Sequence, residues 1–237
     1  MNNRVFPWAV VAALQQELAP LKSRFQHDLV LIETGMGCEN ADRSLRARLR
    51  EQHVAAVLGI GLAGALSSSL EIGDLVIGQE VWGRTRITPP ASLVKAARET
   101  LSKDSGIHVG SLITVNKMVC TTEGKRQLAT SLGVDQLGCV DMESWAIARV
   151  CEEIGIPYLI VRCISDVLSE DLPLDFNRFC LPDGNLDIRR IMRSAFLHPS
   201  KLRGLWKFAR RLTLCTSRLA EFADQFVSRG TPSALER

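Results

Sequence analysis

Apolar and polar positions fall into alternating blocks along this chain, and the blocks read in turn as strands and helices. Trp8 to Leu14, Leu29 to Glu33, Val54 to Ile60, Leu75 to Val81, Ser111 to Val115 and Gly138 to Met142 are short apolar-rich runs expected to be strands. Gln15 to Phe25, Glu39 to Gln52, Ser92 to Lys103, Glu123 to Leu132 and Glu143 to Ile154 carry helical character, the last ending at Gly155 and Pro157. A further apolar run, Tyr158 to Val161, reads as a buried strand and leads into Arg162-Cys163-Ile164-Ser165-Asp166. Two glycine pairs, Gly35 with Gly37 and Gly61 with Gly64, follow strands and are expected to be tight turns. Strand–helix alternation predicts an α/β fold, a central sheet with helices on both faces.

Composition narrows the class. With 237 residues, 46% of them hydrophobic, the chain can fill one large core. No run of eighteen apolar residues occurs and the start does not resemble a signal peptide, so no membrane span is expected. The seven cysteines lack any Cys-x-x-Cys pair, which points to reduced thiols in a cytoplasmic protein. The four histidines are isolated, and no metal site is expected.

Charge is unevenly spread. The formal net charge is +3, yet Ile188 to Ala220 holds nine Lys or Arg and no Asp or Glu. The remainder, with 20 basic and 26 acidic residues, is therefore net −6. This divides the chain into residues 1–182 and a basic helical extension of the same domain, 183–237. Within that extension Leu202, Leu205, Trp206, Ala209, Leu212, Thr216, Leu219, Ala223 and Phe226 recur at helical spacing. Arg203, Lys207, Arg210, Arg211 and Arg218 fall largely on the other side. Two readings stand: a helix packed on the domain with a solvated basic face, or a helix lying on anionic lipid headgroups. Nucleic acid is not an expected partner, because stacking and base-reading elements are missing.

Glu143 and Asp166 stand at the ends of two strand-like segments of one α/β unit, where a sheet aims side chains into a crevice. Asp166, leaving a buried strand, suits a proton donor, since desolvation favours the protonated carboxyl. It equally suits a helix N-cap. Glu143 equally suits a helix N-terminus, and Glu17 by its position alone reads as a solvated first-turn acid.

Taken together in order, Ala13-Leu14-Gln15-Gln16-Glu17, Thr34-Gly35-Met36-Gly37, Gly61-Leu62-Ala63-Gly64, Leu70-Glu71-Ile72-Gly73-Asp74, Val140-Asp141-Met142-Glu143 and Arg162-Cys163-Ile164-Ser165-Asp166 resemble the purine nucleoside phosphorylase and nucleosidase superfamily. The methylthioadenosine/S-adenosylhomocysteine nucleosidases are the near relatives in that resemblance, which runs from about Trp8 to Phe179. It implies a mixed central sheet and cleavage of an N-glycosidic bond without a cofactor, phosphate being a co-substrate in the phosphorylase case. It also implies roles. Asp166 protonates purine N7, Glu143 holds the ribose hydroxyls with Met142 beneath them, and Glu17 polarises the attacking water. Met118 and Val119 border the base, Gly61 and Gly64 border the nucleoside, and Arg162 orients Asp166. A homo-oligomer is implied as well.

Three departures refine the resemblance. Gly59 and Leu62 stand where a bacterial purine phosphorylase has its phosphate-binding Arg and Ser, which with Glu17 present favours water as the nucleophile, although the nucleosidases too carry a Ser at the Leu62 position and that part of the nucleophile site is altered. Arg43 and Arg84 keep phosphate open. The stretch between Val81 and Ser111 is short, which leaves the 5′ side of the site open for a larger substituent. Finally Asp175-Phe176-Asn177-Arg178-Phe179, Asp183-Gly184 and His198-Pro199 with Leu202 are similar to the hopanoid-associated phosphorylase-type enzymes. That likeness implies adenine release from a lipid-linked nucleoside at the inner face of a membrane.

Overall fold

A computed structural model describes residues 6–22, 24, 29–100, 106–133, 136–197 and 199–229. Phe25, Lys103 and His198, ends or markers of expected segments, lie outside the described residues. The strands are β1 (Trp8–Ala12), β2 (Leu29–Glu33), β3 (Ala56–Ala65), β4 (Leu75–Trp82), β5 (Arg86–Ile87), β6 (Ile107–Thr114), β7 (Gly138–Asp141) and β8 (Tyr158–Asp166). The helices are α1 (Gln15–Lys22), α2 (Cys38–Glu51), α3 (Ala91–Thr100), α4 (Thr122–Leu132), α5 (Ser144–Ile154), α6 (Ile188–Leu197) and α7 (Pro199–Ser228). A 3₁₀ turn, Phe176–Phe179, precedes α6.

All eight strands join one mixed sheet. Its order is β2-β1-β3-β7-β6-β4-β5, and β8 pairs with both β3 and β4. Strands β3, β7, β6, β4 and β8 therefore close a ring. β8 runs parallel to β3 and antiparallel to β4. Every residue of β8 is buried, so its near-continuous apolar sequence is what a strand covered on both faces requires. Period-2 alternation sends Leu58, Ile60, Leu159, Val161 and Cys163 to the face covered by α1, α3 and α7. Val57, Ala63, Tyr158, Ile160 and Ile164 go to the face covered by α2 and α5.

Two expectations are corrected here. Gly61 and Gly64 do not form a turn; both lie inside β3, paired to Arg162 and Asp166 of β8. Likewise Asp166 is the last residue of a strand and not a helix cap.

The extension divides into two parts. From Cys215 to Val227, α7 is core: Cys215, Leu219, Ala220, Phe222, Ala223 and Phe226 are buried against β-strands and α1. Toward its start the expected apolar stripe is open, with Trp206 61% and Leu202 38% exposed. Ile188 and Met192 of α6 are also exposed. Leu205 and Phe208 instead pack on a small cluster of Leu174, Phe176, Phe179 and Ile191.

Candidate active site

Glu17 and Glu143 gather around Arg162, Asp166 stands at the end of the same strand β8, and all four are buried. Glu17 is the third residue of α1. Its Oε2 accepts the backbone N–H of Leu14 at 2.9 Å, reaching back to the residue before the helix as in a capping box. Its Oε1 accepts the N–H of Leu62 at 3.1 Å, across from α1 to β3. The helix-start role and a site role thus coexist in one carboxylate. Burial raises its pKa, opposed by the Leu14 N–H and by Arg162.

Arg162 is the hub of the carboxylates. Its Nε lies 2.6 Å from Asp141 Oδ2 and donates to Ser144 Oγ at 2.9 Å. Nη1 donates to the Ile60 carbonyl at 3.0 Å, while Nη2 lies 4.0 Å from Glu143 Oε2. The guanidinium crosses directly over Gly61, where an added Cβ would fall 2.0 Å from Nη1. Gly61 therefore makes room for Arg162. Asp141 also accepts from the Ser144 N–H and from Thr114 Oγ1, so this acid of the Asp-Met-Glu run anchors the start of α5.

Glu143 precedes α5 without capping it. Its Oε1 instead accepts the Gly37 N–H at 2.7 Å. Gly37, at φ 91°, has a left-handed backbone that only glycine adopts readily. Burial pushes the Glu143 carboxyl up to about 7, aided by Asp141 and Glu17 and opposed by Arg162 and the Gly37 N–H.

Arg162 does not orient Asp166, contrary to expectation. A register shift after Ala63 pairs Gly64 with Asp166, placing Asp166 out of phase with Arg162 on β8. Its cation is Lys125, whose Nζ lies 2.5 Å from Asp166 Oδ2. Ser165 Oγ donates to the other oxygen at 2.7 Å. An added Cβ on Gly64 would meet Asp166 Oδ2 at 3.0 Å, so this glycine too makes room for a side chain. Sequence reasoning missed Lys125: in Thr122-Glu123-Gly124-Lys125-Arg126 it reads as one more solvated helix residue, and no periodicity marks it as buried.

Met118 and Val119 follow β6. Asn177 of the 3₁₀ turn clamps Met118, accepting its N–H at 2.8 Å and donating to its carbonyl at 2.9 Å. Met118 thus spends its backbone on the fold, whereas Val119 makes no backbone hydrogen bond among the described residues. Asn177 was another residue the sequence did not single out, although the Asp175-to-Phe179 run was.

A cleft of about 940 Å³ opens beside this cluster. Met36, Gly37, Thr114, Val115, Met142 and Trp145 line it, with Arg84 and Arg149. Glu17, Glu143 and Asp166 are not in its wall; it touches the cluster through Gly37, the donor to Glu143, and through Met142. Of the two arginines expected to reach a phosphate, Arg84 borders this cleft, while Arg43 is exposed and bonded to Asn40. On the far side, the Gly184 carbonyl accepts the Met36 N–H at 2.9 Å, tying the segment before α6 to the glycine turn.

Residues 22–195 match the family model of the phosphorylase superfamily. A 5′-methylthioadenosine/S-adenosylhomocysteine nucleosidase of Bacillus cytotoxicus is 24% identical over 210 residues, 72% of this chain and 90% of that protein. Among solved structures, S-adenosylhomocysteine nucleosidase of Streptococcus pyogenes, in complex with 5-methylthiotubericidin, matches with TM-score 0.75 at 17% identity. That match covers 98% of this chain and 100% of the other. Futalosine hydrolase of Helicobacter pylori matches with TM-score 0.72 at 17% identity, covering 95% and 98%.

Proposed function

This chain belongs to the phosphorylase superfamily, and from that premise we propose that it cleaves the N-glycosidic bond of an adenine nucleoside bearing an apolar 5′ substituent. The observation that carries the reading is the separation of two acidic groups at one set of strand ends. Asp166 is paired with a cation and a hydroxyl donor, while Glu143 and Glu17 flank Arg162. Adenine leaves poorly as an anion and well once protonated, so Asp166 is the general acid to N7. Glu143 accepts from the ribose hydroxyls and faces the positive charge that grows on the sugar. Met142, on the cleft wall, packs under the ribose. The Val119 backbone is the free edge for the base, with Met118 held behind it.

Water is the proposed nucleophile. The Leu62 N–H, one donor a bound phosphate would use, is taken by Glu17. A dianion would also sit beside two carboxylates, and like charges so placed repel. Glu17 is positioned to hold a water, and Leu62 costs the site a hydroxyl without costing it this acceptor.

The 5′ substituent belongs in the open cleft, against Met36, Val115 and Trp145. A second feature supports a lipid-linked nucleoside. Exposed Ile188, Met192, Leu202 and Trp206 stand among Arg189, Arg190, Arg193, Arg203 and Arg210, an apolar-and-basic surface suited to an anionic membrane face. The Arg210 guanidinium lies 4.7 Å from the Trp206 ring centroid, an arrangement found where aromatic and cation share an interface. We place the protein in the cytoplasm, where its seven unpaired cysteines stay reduced, as a homo-oligomer.

Adenine release, followed by chromatography, tests the reading. The substrates are methylthioadenosine, S-adenosylhomocysteine and a lipid-substituted adenosine, each with and without phosphate. Release without phosphate is expected, fastest from the apolar 5′ group; a phosphate requirement overturns water as nucleophile. Flotation on anionic vesicles, weakening with salt and lost in Trp206→Ser with Leu202→Ser, is expected for the membrane contact. No flotation returns α6 and α7 to ordinary surface. Light scattering after gel filtration reads the oligomer, and a monomer would remove that part of the proposal.

A further inference from the structure

Lys125 is the one charged side chain among the described residues with no measurable exposure. Its place in the helix and its burial both disfavour a cation. It lies in the first turn of α4, where the helix dipole repels positive charge, and burial strips its water. Three acceptors offset this. Nζ donates to the carbonyls of Val167 and Glu170 at 2.8 and 2.7 Å, and its third direction is filled by Asp166 Oδ2 at 2.5 Å. Two of the three ammonium protons go to those carbonyls, and Asp166 Oδ2 is held as an ion pair beside the third. Arg211 of α7 holds Glu170 through its carboxylate at 2.8 Å, so the cradle is fixed from behind. A buried ion pair gains little stability over well-packed apolar residues, and stability alone is a weak reason for this one.

We propose that Lys125 supplies the proton that Asp166 delivers to the leaving base. The inference rests on the reading of Asp166 as the acid that meets the purine. In the resting pair the ammonium faces a carboxylate. As the C1′–N9 bond breaks, its electron pair goes to the base and N7 takes a proton from Asp166. Asp166 Oδ2 takes one from Nζ, leaving a neutral amine, a carboxylate and neutral adenine. Water adds to C1′ and gives its proton to Glu17. Solvent then reprotonates the amine as Glu17 releases that proton. Lys125 acts through Asp166 and is a positioning residue. An Arg could hold the pair but not release the proton.

The test is the pH profile of Lys125→Met and Lys125→Arg against the wild type, with kcat and KM for methylthioadenosine measured separately from pH 5 to 9. Thermal melting and circular dichroism report the fold. At pH 8 kcat of both variants is expected to fall by about 100-fold or more, the size of a general-acid contribution, with KM little changed. For Lys125→Met the deficit should narrow toward pH 5, as solvent protons stand in for the missing ammonium. A wild-type profile in folded Lys125→Met overturns the proposal, and so does a loss equal at every pH. If Lys125→Met does not fold, Lys125→Ala with added propylamine decides: a rate that climbs with amine supports the relay, and a flat response overturns it. Wild-type protein that releases no adenine sinks the function reading and the relay together, whereas an active wild type with an indifferent Lys125 sinks the relay alone.

Discussion

Replacing Glu143 with Gln should make the fold less sensitive to pH. The Glu143 carboxyl is raised from 4.5 to about 7, first by burial and then by Asp141 and Glu17. A carboxyl raised in the folded state favours the fold while it is protonated. That advantage is complete below 4.5 and is lost as pH rises to about 7. A tenfold change in proton affinity is worth about 1.4 kcal/mol, so the whole effect is roughly 3 kcal/mol, most of it falling between pH 5 and 8. Gln has the size of Glu and its amide oxygen can still accept the Gly37 N–H, but it does not titrate. Urea unfolding of both proteins at pH 5 and pH 8 reads the group within its cluster, because titrations elsewhere in the chain cancel in the comparison. The wild type should lose roughly 2 to 3 kcal/mol more than the variant between the two pH values. An equal loss in both would refute the raised carboxyl and, with it, the electrostatic picture of Glu143, Glu17 and Arg162 as one cluster.

Gly61→Ala should destabilise the protein by roughly 1 to 3 kcal/mol, as overpacking does, because its Cβ would fall 2.0 Å from Arg162 Nη1; calorimetry that finds it neutral would mean Arg162 is free to move. Asn177→Ala removes both hydrogen bonds from the Met118 backbone, and roughly 1 to 3 kcal/mol of stability should go with them. Its KM for the nucleoside should rise more than its kcat falls, and steady-state kinetics showing the reverse would detach Met118 from the base side. Glu17→Gln keeps the acceptor for Leu62 but not the base for water, so hydrolysis should fall by about 100-fold or more with nucleoside binding retained; unchanged hydrolysis would remove Glu17 from the nucleophile's side.

The strands and helices were legible because burial on both faces writes near-continuous apolar runs, as in Tyr158 to Val161, and these need no tertiary information. What failed had a common physical cause. Gly61 and Gly64 read as a turn because glycine is a breaker in isolation, yet β3 keeps them paired while the arginine and aspartate of β8 use the space above. Arg162 looked like the partner of Asp166 because four residues along a regular strand share a face. One register shift breaks that phase. Lys125 comes from an element some forty residues earlier, and only the closed ring of strands brings it to Asp166. In α7 the helical stripe was correct as periodicity, but it could not say that the helix is core after Cys215 and open around Trp206. The carboxylates themselves, Glu17, Glu143 and Asp166, were found together because three acids in that order matched a family pattern, not because any one of them is distinctive alone.

The central claim is that Asp166 protonates the base as the glycosidic bond breaks. Adenine release from methylthioadenosine by the wild type and by Asp166→Asn, in phosphate-free buffer with nucleoside binding measured by calorimetry, tests it most directly. Turnover in the wild type, with a loss of about 100-fold or more in the variant and binding preserved, is the expected result. An Asp166→Asn protein that still turns over at the wild-type rate would contradict the claim.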